Sequence, residues 1–101
     1  MLDISKLQKE IFENKVAKGF NVTDVGYEFS LTYGELAEAF DAYRKKKPDL
    51  GEELADVAIY LLGLAAMLKI NLEDEIVKKV EKNKKREYKT INGVRMRTKG
   101  A

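Results

Sequence analysis

Glu52-Glu53-Leu54-Ala55-Asp56-Val57-Ala58-Ile59-Tyr60-Leu61-Leu62-Gly63-Leu64-Ala65-Ala66-Met67-Leu68 decides the fold of this 101-residue chain. The segment has the length of a globular helix. It is short for a membrane span and carries Asp56 inside it. Its apolar residues fall on nearly every side of a helix, so it has to be covered from more than one direction. A chain of this size makes one domain and buries only part of its apolar surface. Other helices of the same chain supply some cover, and a subunit partner is the simplest source of the rest.

Moving outward, Pro48 is the only proline and marks a break, so Lys47-Pro48-Asp49-Leu50-Gly51 reads as a turn. Before it, Val25, Phe29, Leu36, Phe40 and Tyr43 recur at helical spacings over residues 24–46. Thr23 or Asp24 can cap that helix. Further upstream, Leu7, Ile11, Phe12 and Val16 stripe a helix over 3–18, capped by Asp3 and ended by Gly19. Downstream, Asn71 caps a last helix over 71–89, whose first turn carries Glu73, Asp74 and Glu75. Asn92-Gly93 favours a tight turn in the tail, 90–101, which is then a short hairpin or a loose end. The expectation is an all-α, four-helix bundle-like protomer over 3–89, assembling into helical oligomers, with 1–101 as a single domain.

The composition limits the chemistry. Hydrophobic residues are 45% and charged residues 36%, a soluble globular balance. There is no cysteine and no histidine, which removes disulfides, thiolate metal sites and the commonest neutral-pH base. Any bound metal must be a hard cation held by oxygen, magnesium or manganese. Met1 to Phe12 lacks a signal-peptide pattern, so the expected location is cytoplasmic. Net charge is +2 but unevenly placed: residues 78–101 sum to +8 and residues 1–77 to −6. A basic end on an acidic body suits nucleic-acid binding, phosphate binding, or solvation of a helix.

Glu35 and Glu38 on the second helix, and Glu53 and Asp56 on the third, each have i, i+3 spacing and share a helix face. One such pair alone is ordinary on a helix surface. Two pairs bordered by Leu36, Ala37, Phe40, Leu54, Ala55 and Val57 are a different matter, because burying four unpaired carboxylates is prohibitive. A divalent cation between the two helices resolves the conflict. The geometry sets a condition: with a second helix reaching Lys46, Glu38 lies about 12 Å from the turn and Asp56 only half as far. The pairs meet only if that helix ends early or the turn folds back.

Lys79, Lys82, Asn83 and Arg86 follow i, i+3, i+4, i+7 on the last helix, leaving Leu72, Ile76 and Val80 to pack it. A donor stripe opposite a carboxylate cluster is what a metal-bound polyphosphate requires; a solvated basic face is the plainer alternative. Tyr60 sits one turn beyond Asp56 and can donate its hydroxyl to a substrate or to the core. Phe20 and Asn21 can stack on and hydrogen-bond a base, or anchor their loop.

Gly34-Glu35-Leu36-Ala37-Glu38, then Glu53-Leu54-Ala55-Asp56, then Lys79, Lys82-Asn83 and Arg86 resemble, in order and approximate spacing, the EExxE, ExxD and Lys/Asn/Arg pattern of the MazG-like all-α nucleotide pyrophosphohydrolases. The resemblance implies that Glu35, Glu38, Glu53 and Asp56 are the catalytic magnesium ligands. It also implies that Lys82 and Arg86 hold the triphosphate, with Lys79 beside them, and that Tyr60 and Asn83 contact the nucleoside. The implied reaction cleaves NTPs or dNTPs to monophosphate and pyrophosphate, in a homodimer or homotetramer with no membrane or nucleic-acid partner. Gly34 replaces the first glutamate of the pattern. That departure motivates one rival, a non-catalytic nucleotide-binding member; the basic end motivates another, a helical nucleic-acid-binding dimer.

Overall fold

A computed structural model describes residues 1–99. Four helices follow in order, α1 (Ile4–Ala17), α2 (Val25–Arg44), α3 (Leu50–Met67) and α4 (Leu72–Lys84), and then two antiparallel strands, β1 (Glu87–Ile91) and β2 (Val94–Lys99). Three helix starts follow local chemistry. Asp3, Asp24 and Asn71 each accept a hydrogen bond from a backbone N–H three residues on, satisfying a donor the helix leaves unpaired. Gly19, at φ +71°, closes α1, and Phe20 N–H reaches back to Lys15 O.

Both α1 and α2 pack on α3, which is therefore the central helix, as its all-round apolar surface demands. Gly63 on α3 lets α1 come close: a Cβ there would stand 3.2 Å from Lys15 Cδ and 3.6 Å from Ile11 Cγ2. The start of α4 is tied to the start of α1. Glu73 accepts from the backbone of Ile4 and Ser5, while Gln8 donates to Ile70 O and accepts from Leu72 N–H.

Three boundaries differ from the sequence reading by two residues or more. The last helix stops at Lys84, five residues short of Lys89, because residues 87–91 pair with residues 94–99. Asn92 and Gly93 make the turn, both at positive φ, so the hairpin form of the tail is the one adopted. The third helix begins at Leu50 rather than Glu52, and the second ends at Arg44. No helix of the described residues is long and apolar enough to cross a membrane.

The core is thin. Among the described residues the buried hydrophobics are Ala39, Ala42, Leu64 and Ala65, while Phe40, Tyr43, Leu54, Ile59 and Leu61 are exposed. Ile76 and Val80, expected to pack α4, are also exposed. The radius of gyration is 17.0 Å, against about 13 Å for a compact 100-residue domain. Apolar surface on this scale marks an interaction face.

Candidate metal and nucleotide site

Because α2 ends at Arg44 and α3 begins at Leu50, Glu38 and Asp56 each lie six residues from the turn. At a rise of ~1.5 Å per residue both sit about 9 Å from it, so the condition set by the sequence is met. Carboxylate oxygens of Glu35, Glu38 and Glu53 lie within 4.8 Å of one another. Asp56 is exposed and stands outside that trio, though its charge acts on Glu35 and Glu53.

The electrostatics follow from crowding. Desolvation first, then the charges of Glu38, Asp56 and Glu53, raise the Glu35 carboxyl above the ordinary range. Desolvation, then Asp49, Glu38 and Asp56, do the same to Glu53, with Lys47 opposing them. Asp49 is the neighbour that sequence reading missed. It occupies the N-cap of α3 but accepts no capping hydrogen bond. Its Oδ1 and Glu53 Oε2 are both buried without a partner. Orphaned oxygens beside three gathered carboxylates fit a hard dication, which favours several oxygen ligands.

Beside the acids lies a cleft of about 490 Å³ between α1 and α2, lined among others by Phe20, Asn21, Tyr27, Ile59 and Tyr60. Tyr60 links the two regions. It lines the cleft, and its hydroxyl is held above its usual pKa by desolvation first and then by Glu35, Glu28, Asp56 and Glu38. It therefore remains a donor at neutral pH. Beside Tyr60, Glu28 is fully buried and paired with Lys15, while Asn21 Nδ2 donates to its other oxygen at 3.2 Å. The Lys15 ammonium also lies 5.8 Å from the Tyr60 ring centre. Sequence reading missed this pair as well. The available signal was Glu28, Thr32 and Glu35, a polar i, i+4, i+7 line on an otherwise apolar helix.

The donor stripe is not brought to the acids within one chain. Helix α4 packs on α1, and its chief contacts do not include α2 or α3. Arg86 donates to Asn83 Oδ1 at 2.9 Å. The charges acting on Lys79 are all cationic: Arg86 first, then Lys82 and Arg97, with desolvation between them, and together they hold its ammonium below the usual pKa.

The MazG nucleotide pyrophosphohydrolase domain, as a family model, matches residues 29–91, more than half of the chain. That span holds all four expected acids, Tyr60 and the donor stripe. No curated protein and no solved structure matches the chain.

Proposed function

Since the chain belongs to the MazG nucleotide pyrophosphohydrolase family, we propose that it hydrolyses a nucleoside triphosphate, NTP or dNTP, to the monophosphate and pyrophosphate with magnesium, or manganese, as cofactor. The observation that carries this reading is the meeting of Glu35, Glu38 and Glu53 from two helices, with a buried Glu53 oxygen left unpaired. Glu35, Glu38, Glu53 and Asp56 would hold the metal. A bound dication supplies what a histidine-free chain lacks, a water acidified enough to attack phosphorus near neutral pH. The cleft takes the nucleoside, with Phe20 as stacking surface and the Tyr60 hydroxyl as donor at its boundary with the phosphates. Lys79, Lys82, Asn83 and Arg86 bind the phosphate chain, and Lys82 and Arg86 stabilise the charge of the departing pyrophosphate.

Acids and donors lie apart in one chain, and the apolar helix faces are uncovered. Both facts support a homodimer or homotetramer in which α4 of one copy serves the acids of another. The cytoplasm is the compartment this reading implies, since nucleotide pools are its substrate.

Release of pyrophosphate across a panel of NTPs and dNTPs with Mg²⁺ tests the function. Turnover of at least one nucleotide is expected. Nucleotide binding without turnover would instead favour the non-catalytic reading that Gly34 motivates.

The metal has a pH signature. Glu35 and Glu53 hold pKa values above the ordinary carboxyl value of 4.5 when folded. The folded state therefore binds more protons than the unfolded one just above that value, and metal-free stability falls as pH rises through this window. A cation offsets the loss only where the acids are ionised. Mg²⁺ or Mn²⁺ is expected to raise the melting temperature at neutral pH, adding about 2.7 kcal/mol of stability at a hundredfold excess over Kd. The rise should vanish near about pH 4, where ordinary carboxylates take up protons. Thermal melts at both pH values check it, and equal stabilisation at the two would contradict acid-held metal.

A further inference from the structure

We propose that Glu10 and Asn14 of α1 read the base in the cleft and select guanine, whose edge sets two donors beside a carbonyl. The inference rests on the nucleotide reading of that cleft and names the class of nucleotide it takes. Both residues lie outside residues 29–91, so the family match does not cover them.

Helix α1 lines the cleft with Leu7, Glu10, Ile11, Asn14 and Lys15, an i, i+3, i+4, i+7, i+8 line along one face. Most of the charged and amide groups there are already engaged. Lys15 is paired with Glu28. The Asn21 amide is used at both ends: Nδ2 donates to Asp24 O at 2.8 Å and to Glu28 Oε1 at 3.2 Å, and Oδ1 accepts from the N–H groups of Thr23 and Asp24 at 3.4 and 3.0 Å. Asn21 therefore shapes the wall and leaves the base to other residues. Glu10 and Asn14 are exposed and hold no side-chain hydrogen bond or ion pair among the described residues.

Phe20 and Tyr27 give the cleft aromatic surface, and stacking accepts any base. Selection has to come from the few polar groups left over. The Tyr27 and Tyr60 hydroxyls both donate and accept, so they discriminate little. An ionised Glu10 carboxylate only accepts, through two oxygens side by side. Guanine alone among the common bases offers two adjacent donors, N1–H and the 2-amino group. Adenine and cytosine set one amino group beside a ring acceptor, and uracil and thymine set one N–H between two carbonyls. Asn14 stands one turn from Glu10, with Cβ atoms about 5–6 Å apart, and its amide can donate to the guanine carbonyl.

Calorimetry with GMP, IMP and AMP on the full chain tests the inference, because IMP is GMP without the 2-amino group. GMP is expected to bind about tenfold more tightly than either, the worth of one hydrogen bond to a charged group. Glu10→Gln should bring GMP to the level of IMP, since the new amide sets a donor where the amino group needs an acceptor. Glu13→Gln removes the same charge from a residue off the cleft, paired with Lys9 at 3.9 Å, and should keep the preference. Equal binding of GMP and IMP by the wild type overturns the proposal, as does binding of neither. A preference that survives Glu10→Gln, or is lost equally in Glu13→Gln, also overturns it. Pyrophosphate release with no preference for guanine would leave the enzymatic reading standing and sink this one. A GMP preference in a chain that cleaves no nucleotide would do the reverse.

Discussion

Glu53→Gln, or Asp56→Asn, is expected to abolish pyrophosphate release, a loss of at least about a hundredfold by analogy with removing one charge-stabilising group from an active site. Both changes preserve shape and remove a charge. Among the described residues neither acid holds an ion pair that stabilises the bundle, so circular dichroism should report unchanged helix. The metal-free Glu53→Gln variant should be at least as stable as the wild type at neutral pH, because the Glu53 carboxyl is crowded by Asp49, Glu38 and Asp56. Its stabilisation by Mg²⁺ should fall together with its activity. Mixing inactive Glu53→Gln with inactive Arg86→Ala should restore part of the activity if acids and donors meet between copies. Full activity in both acid variants would refute the metal assignment.

Lys15→Met is expected to destabilise the protein by about 3–5 kcal/mol, the cost of leaving a buried charge without its partner. Glu28 has 0% exposure, and Lys15 and Asn21 are its side-chain partners. Asn21 alone cannot neutralise a carboxylate. A small domain has only roughly 5–15 kcal/mol in total, so the variant should unfold at a much lower urea concentration. The methionine keeps most of the stem that packs against Gly63, which confines the change to the charge. Lys15→Met with Glu28→Leu should recover much of the loss, since replacing a buried pair by apolar residues is often close to neutral. A single variant as stable as the wild type would show that the pair is not what tolerates Glu28 in the core.

The helices were legible in the sequence where their signals are local. Asp3, Asp24 and Asn71 sit beside the donors they cap. The apolar surround of residues 54–67 requires cover whatever the tertiary arrangement. The end of the last helix was not legible: Lys85, Arg86 and Glu87 are good helix formers, and only the partner strand 94–99, a non-local contact, draws Glu87 onward into a strand. The spacing of Glu35, Glu38 and Glu53 was readable, but their convergence depended on where α2 stops, a matter of two residues. Glu28 looks like a first-turn acid suited to the helix dipole, and only the polar line it makes with Thr32 and Glu35 sets it apart from an exposed one.

All four acids belong to a single stretch of 22 residues that doubles back on itself, from Glu35 to Asp56. Contacts so near in sequence close early and fast when a chain folds. The acids therefore repel one another across a junction that has to form at the outset, and the hindrance falls on the rate of assembly. A cation captured there would lift that obstacle, and refolding is expected to be faster with Mg²⁺ present than without it.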